Sequence, residues 1–150
     1  MNDALRNSAS YAGDIAPGEA WRILSETPAA QLLDVRTQAE WNYVGLPDLA
    51  ALGKQVALAE WQTFPGGAQN TGFADDAIAR LERLGAGKDA PVVIICRSGV
   101  RSRAAAIALT QRGYTQAFNI AGGFEGDHDE NGHRGFLNGW KAEGLPWRQG

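Results

Sequence analysis

The chain has 150 residues, a net charge of -3 at neutral pH and a single cysteine. This length predicts one domain over residues 1–150 with a sizeable core, and the acidic balance argues against nucleic acid or a membrane as a partner. A lone cysteine excludes an internal disulfide and is typical of a reducing compartment, so a cytoplasmic location is expected. Residues 1–17 lack the apolar run of a signal peptide, and residues 1–14 are a candidate disordered segment.

Helices and strands alternate along the predicted fold. In chain order the sequence predicts a helix at Glu19–Ser25, a strand at Gln31–Asp34, a helix at Thr37–Tyr43, a strand at Gln55–Ala59, a helix at Phe73–Leu84, a strand at Val92–Cys96, a helix at Val100–Arg112, a strand at Ala117–Ile120 and a helix at Gly135–Ala142. Strands separated by helices indicate an α/β fold in which helices cover both faces of a mostly parallel sheet.

The most informative segment is the one in which an apolar strand ends on Cys96 and the chain is helical again six residues later. The carboxyl end of a strand is where an open α/β sheet places its ligand site. Backbone amides and the helix dipole attract an anion there and favour a thiolate over a thiol, and Arg97 and Arg101 add positive charge. Cys96 is therefore predicted to be a nucleophile that acts on an anionic substrate. The alternative is an inert buried cysteine, the usual state of a free thiol.

The spacing within this loop separates two chemistries. A cysteine phosphatase needs Cys, five residues and then Arg, because its loop wraps a tetrahedral phosphate. Here Ser102 stands six residues after Cys96, and the arginine comes one place early, at Arg101. The shorter loop matches one sulfur atom better than a phosphate, which favours sulfur transfer over phosphate hydrolysis.

The loop sequence Cys-Arg-Ser-Gly-Val-Arg-Ser at Cys96–Ser102 resembles the active-site loop of single-domain members of the rhodanese family. The similarity continues in Asp34-Val35-Arg36 with the acid-aromatic pair at Glu40, in the Gly-Gly turn of Asn119–Phe124 and in the closing segment Gly139–Trp147. It covers most of residues 15 to 148. The resemblance implies a rhodanese-like three-layer fold with about five strands in the sheet.

The same resemblance implies thiosulfate sulfurtransferase activity without a cofactor. The Cys96 thiolate would take a sulfur from a small anionic donor, or from a protein persulfide, and the resulting persulfide would pass it to cyanide or a thiol. The substrate-binding candidates are Arg97, Ser98, Gly99, Val100, Arg101 and Ser102. Their amides would stabilise the sulfur, and the two arginines would orient the donor. Gly99 permits a tight turn, and Ser102 either caps the next helix or donates to the sulfur.

One segment departs from the family. A His-Ile-x-Gly-Ala run is usual where this chain has Tyr43–Leu49, so one wall of the pocket and the choice of substrate are expected to differ. Trp61 and Phe64 are candidates for an apolar wall over the cysteine, and core packing is the alternative for both.

Asp34 and Arg36 are candidates for supporting roles beside the loop. Asp34 ends an apolar strand, where it would supply a charge to the loop, pair with Arg101 or cap the short helix that starts at Thr37. Arg36 and Glu40 stand four residues apart and are interpreted as a structural ion pair.

The segment Asp127–Gly132 has the spacing of half a calcium loop. Asp127, Asp129 and Asn131 occupy the first three ligand positions, but Asn138 stands where a bidentate acid is required. A turn rich in Asp and Asn is the simpler interpretation, with calcium as a secondary option. His128 and His133 lack a third ligand at a suitable spacing, so no metal is expected there.

Two other functions stay open at this level. A catalytically weak rhodanese-like binding or regulatory module is the first, although an intact Cys96 argues against it. A cysteine-dependent phosphatase is the second, and the short loop argues against it.

Overall fold

The computed structural model describes residues 10–63 and 66–149. Its main sheet consists of parallel strands in the order β1-β6-β5-β2-β4, and β3 and β7 form a separate antiparallel pair. The strands are β1 (Gly13–Ile15), β2 (Gln31–Asp34), β3 (Leu46–Pro47), β4 (Ala57–Leu58), β5 (Val92–Ile95), β6 (Ala117–Ile120) and β7 (Trp147–Arg148). The helices are α1 (Pro17–Glu26), α2 (Gln38–Tyr43), α3 (Phe73–Arg83) and α4 (Val100–Gln111), with a 3₁₀ turn at Ala50–Leu52.

The side chains of β5 alternate between the two faces of the sheet, as the period of a strand requires. Val92 and Ile94 belong to a core shared with α3 and α4, whereas Val93 and Ile95 belong to a second core shared with α1. Phe124 and Trp140, from the segment after β6, complete the second core. The predicted α/β fold, with helices on both faces of a mostly parallel sheet of five strands, is thereby confirmed.

The register of the sheet brings the ends of two neighbouring strands together. Asp34, the last residue of β2, pairs with Ile95, the last residue of β5. The ladder continues for one more step, since the Val35 amide donates to the Ile95 carbonyl at 3.0 Å. The segment after β2 and the loop that starts at Cys96 therefore lie side by side at the carboxyl edge.

The predicted helix at Gly135–Ala142 is wrong. This segment consists of turns and bends in the structure, because Gly135 (φ 94°) and Gly139 (φ 101°) both adopt left-handed backbone conformations that a right-handed helix excludes. Trp140 is fully buried all the same, and its amide donates to the Gly123 carbonyl at 2.8 Å. Burial in the second core, rather than helical spacing, accounts for the tryptophan at this position.

Several short strands were not predicted, and one was predicted too long. β1, β3 and β7 have two or three residues each, too few to show a period. Only Ala57–Leu58 of the strand predicted at Gln55–Ala59 pairs with β2. The candidate disordered segment at residues 1–14 overlaps β1, and residues 1–9 lie outside the described residues. None of the described helices is long and apolar enough to cross a membrane.

Candidate active site

The sulfur of Cys96 lies directly after the central strand β5, under the loop that leads into α4. The Gly99 amide donates to Cys96 Sγ at 3.1 Å, and Ser102 Oγ lies 3.2 Å from the same atom. Only 1% of the Cys96 surface is exposed. A reagent must therefore be slender at its reacting end to reach the sulfur.

The turn into α4 is made by Gly99 rather than by a side-chain cap. Gly99 is the N-terminal capping residue of α4 and has a left-handed backbone (φ 113°), which glycine adopts without strain. Of the two roles predicted for Ser102, helix capping is wrong, because Ser102 lies inside α4 and is fully buried. Its hydroxyl faces the site instead, between Cys96 and Asn119.

The Gly-Gly turn after β6 supports the loop from behind. The Phe124 amide donates to the Cys96 carbonyl at 2.8 Å, and the Glu125 amide donates to the Arg97 carbonyl at 2.9 Å. A Cβ atom at Gly123 would lie 2.5 Å from the Cys96 carbonyl oxygen. Glycine at this position therefore allows the two backbones to approach closely enough for these hydrogen bonds.

Arg101 pairs with Glu40 and not with Asp34, which corrects the predicted structural partner. Its two terminal nitrogens contact the two carboxylate oxygens at 2.7 and 2.9 Å, in the geometry of a bidentate pair. Glu40 also accepts from the Thr37 amide, so it completes the capping box of α2. The contact ties α4 to α2 across the mouth of the site.

Burial alone would raise the pKa of Glu40. The hydrogen bonds and the positive charge of Arg101 outweigh burial and hold the pKa below its usual value. Because the folded state favours the ionised form, the pair stabilises the protein above the pKa of an unfolded glutamate and loses this effect as the pH falls through the folded pKa.

We expect Glu40→Gln to lower the free energy of unfolding at pH 7 by about 1 kcal/mol, the usual size for a partly exposed pair. Glutamine still completes the capping box, so the loss reports the ion pair. Urea unfolding between pH 7 and pH 3 measures it: the parent protein should lose more stability than the variant below about pH 4.5. Glu82→Gln, at an exposed glutamate of α3, is the matched control. Parallel pH profiles for the parent and Glu40→Gln would contradict the expectation.

Asp34 and Arg36 form a fully buried ion pair beside the loop. Arg36 NH2 lies 2.7 Å from Asp34 Oδ2, and Nε donates to the same carboxylate at 3.0 Å. The guanidinium also donates to the Gly45 carbonyl at 2.7 Å and lies over the Phe124 ring, 4.3 Å from its centre. The predicted pair between Arg36 and Glu40 is therefore wrong, since each has a different partner.

A cleft of about 560 Å³ opens in front of the loop. Arg97 is exposed on its wall, and no carboxylate in residues 10–63 or 66–149 forms an ion pair with it. The residues that line the cleft are Thr37, Ala39, Glu40, Tyr43, Val44, Gln62, Thr63, Gly67, Arg97, Arg101, Glu125 and Arg134. The cleft thus presents an unpaired guanidinium to an anionic ligand.

The candidate apolar wall is not formed by Trp61. This ring packs edge to face against Phe73 at 5.1 Å, next to the core under α3. Its neighbours Gln62 and Thr63 line the cleft instead. Phe64 lies outside the described residues.

A second cleft, of about 460 Å³, lies on the other side of the loop. Ser98, Gly99 and Val100 line it, so the six predicted binding residues do not share one cavity. Asp14 and Asn119 also line this second cleft.

Comparison with known proteins shows the family to which this chain belongs. The model of the rhodanese-like domain matches residues 16–130. The chain belongs to the rhodanese-like family. The crystal structure of Rv0390 from M. tuberculosis is similar to this rhodanese-like chain, with a TM-score of 0.82 and 50% identity over 94% of this chain and all of that one.

Curated relatives of this rhodanese-like protein include one with a named activity. An uncharacterized protein of Rickettsia rickettsii is 35% identical over 136 residues, which are 90% of this chain and 96% of the relative. The thiosulfate sulfurtransferase GlpE of Haemophilus influenzae is 27% identical over 113 residues, 75% of this chain and 85% of the relative. The sequence resemblance to the rhodanese family is confirmed.

The half calcium loop forms a hydrogen-bonded turn in this rhodanese-like domain. Asp129 Oδ1 accepts from the amides of Asn131 (2.9 Å) and His133 (2.8 Å), and these bonds lower the pKa of Asp129. Asp127 accepts from the Asn138 side chain at 3.0 Å. In the described part of the chain no three His, Cys, Asp or Glu side chains form a group that would hold a metal ion.

Sequence reasoning missed three residues of the candidate site. Glu40 was assigned to Arg36, and its contact with Arg101 spans 61 residues. Asn119 is a buried polar residue near the end of an apolar strand, a signal that was available. Arg134 lines the front cleft and donates to the Gly126 carbonyl at 2.5 Å, a position that no local pattern indicates.

Proposed function

We propose that this protein is a sulfurtransferase that carries sulfur as a persulfide on Cys96. The observation that carries the proposal is the placement of the sulfur of the chain's one cysteine at the end of β5, within 3.2 Å of the Gly99 amide and the Ser102 hydroxyl. The Gly99 amide donates to this sulfur, and a hydrogen-bond donor aimed at a sulfur stabilises the negative charge that it bears during transfer.

The first half of the reaction loads the enzyme. The Cys96 thiolate attacks the outer sulfur of a donor such as thiosulfate and forms a sulfur–sulfur bond. The bond between the two sulfur atoms of the donor breaks, and sulfite leaves with its electron pair. Cys96 is then a persulfide whose terminal sulfur carries the negative charge.

The second half unloads it. Cyanide or a thiolate attacks the terminal sulfur, and the bond from that sulfur to Cys96 Sγ breaks. Cyanide leaves as thiocyanate, or a thiolate leaves as a persulfide, and the electron pair returns to Sγ. The enzyme is then ready for another donor, with no net oxidation or reduction of the protein.

The arginines take different roles in this proposal. Arg97 is exposed on the front cleft and is suited to bind the sulfonate of the donor. Arg101 is held by Glu40, so it positions the loop and adds a positive field at the sulfur rather than gripping the donor. Arg134, on the same cleft, is a second candidate for the anion.

Family membership and the named activity of GlpE support this class of reaction. The short loop and the engagement of Arg101 by Glu40 argue against the phosphatase alternative. Small anions such as thiosulfate and protein persulfides are both donors of suitable chemistry, and cyanide or a thiol is the acceptor. This exchange needs a reduced thiol, so we propose a cytoplasmic location.

Intact-mass spectrometry tests the proposal directly. Incubation with thiosulfate, a polysulfide or a protein persulfide is expected to add the mass of one sulfur atom, and cyanide is expected to remove it. Protein alkylated beforehand is the matched control, because Cys96 is the chain's one cysteine and should then gain nothing. Failure of all three donors to load the unmodified protein would reject the enzyme and favour the binding module, and cleavage of an aryl phosphate would favour the phosphatase.

A further inference from the structure

Ser102 has one hydroxyl proton and two neighbours that compete for it. Its Oγ lies 3.2 Å from Cys96 Sγ and 2.5 Å from Asn119 Oδ1. Ser102 is fully buried and Asn119 is 4% exposed, so water is a poor substitute partner. The direction of one proton therefore decides whether the sulfur faces a hydrogen-bond donor or an oxygen lone pair.

The carboxylate of Asp14 sets the orientation of the Asn119 amide. An ionised carboxylate only accepts hydrogen bonds, so the amide must turn its NH₂ group toward it. Asn119 Nδ2 indeed donates to Asp14 Oδ1 at 3.0 Å, and the Tyr11 hydroxyl donates to the same oxygen at 2.6 Å. The amide then has only its oxygen left toward Ser102, and that oxygen takes the hydroxyl proton.

We propose that Asp14 and Asn119 are positioning residues that turn the Ser102 hydroxyl away from Cys96, so that Ser102 presents a lone pair to the sulfur. The inference rests on the nucleophilic role proposed for Cys96. A lone pair accepts a hydrogen bond from a thiol but repels a thiolate. Formation of the thiolate requires the hydroxyl to rotate toward sulfur, which leaves the Asn119 oxygen unpaired in a buried place. The pair therefore favours a protonated sulfur at rest.

Charged and titratable groups lie on both sides of the network formed by Ser102, Asn119 and Asp14. On the front side, Arg101 is held by the carboxylate of Glu40 at 2.7 Å. On the far side, Asp14 faces Tyr11, and the Arg103 guanidinium lies 5.9 Å from the centre of the Tyr11 ring. A substitution at Asp14 leaves the pair of Arg101 and Glu40 in place and alters only the hydrogen bond that Tyr11 donates.

The Asp14→Asn variant tests the proposal. With an amide at position 14, Asn119 can turn its NH₂ group toward Ser102, and the hydroxyl then donates to the sulfur. The pH of half-maximal alkylation of Cys96 by iodoacetamide should move toward acid by about half to one pH unit. Asp14 is exposed on β1, so the fold should persist. Asn119→Ala, which removes the competing acceptor, should shift the profile in the same direction.

Asp14→Asn also removes a negative charge, which could itself shift the alkylation profile. The same substitution in a Ser102→Ala protein separates this effect from the direction of the hydroxyl. In Ser102→Ala protein the Asp14→Asn change should produce little shift, because no hydroxyl is left to turn. Tyr11→Phe keeps the Asp14 carboxylate, so its pH profile of Cys96 alkylation should match that of the parent protein. An equal shift with and without Ser102, or no shift in Asp14→Asn, would overturn the proposal. Alkylation reads the thiol alone, so a failure to load sulfur would reject the proposed function without altering this result.

Discussion

Cys96→Ser is expected to abolish sulfur transfer from any donor, with a loss of roughly a thousandfold or more. Serine keeps the shape of the side chain and a hydrogen-bond acceptor for the Gly99 amide, but its oxygen forms no persulfide. The thiocyanate formed from thiosulfate and cyanide measures the loss. Intact mass of the variant after incubation with the donor should show no added sulfur.

The loss of transfer in Cys96→Ser can be assigned to the missing sulfur only if the variant is folded. Cys96 is buried, and a change of one atom there should alter the free energy of unfolding by no more than about 1 kcal/mol. Urea unfolding of Cys96→Ser and of a second variant, Cys96→Ala, checks this. Transfer that persists in either folded variant would show that the sulfur travels by a route without Cys96.

The position of Cys96 could be predicted because its signal is local. An apolar strand, a cysteine, a glycine and a helix follow one another within twenty residues, and this order places the thiol at the carboxyl edge of the sheet. The parallel sheet was predictable for the same reason, since each strand and its following helix have their own patterns.

The partners of the site could not be predicted with the same success. Glu40 forms the capping box of α2 together with Thr37, which a local pattern can indicate. Its second role, the ion pair with Arg101, arises only where α2 meets α4. Asn119 faces Ser102 because β6 pairs with β5 in a register that places Asn119 opposite Ile94. Such contacts depend on strand order, which no local pattern contains.

The observed partner of Arg36 could have been predicted from strand geometry. Arg36 and Glu40 are four apart, which matters only on a helix, but α2 begins after Arg36. Residues two apart in extended chain lie on the same side, and Asp34 and Arg36 have that spacing. An interpretation based on strand geometry would have identified the buried pair.

Arg36→Met is expected to lower the free energy of unfolding by about 3 to 5 kcal/mol, because it leaves the carboxylate of Asp34 buried without its partner. The midpoint of urea unfolding measures the change. Arg22→Met is the matched control: Arg22 also forms ion pairs, with Glu19 and Glu26, but on the exposed face of α1. Its midpoint should change little, since exposed pairs contribute little.

Removal of both charges should recover much of the stability that Arg36→Met loses. In the double variant with Asp34→Asn no charge is left without a partner, so the remaining deficit measures lost packing and hydrogen bonds, including the one to the Gly45 carbonyl. A double variant less stable than Arg36→Met would contradict this expectation and show that other donors, among them the Arg36 backbone amide at 3.1 Å, are enough to stabilise the buried Asp34 carboxylate. Recovery would instead show that the buried pair is a matched set of charges, required together at the edge of the sheet where Cys96 lies.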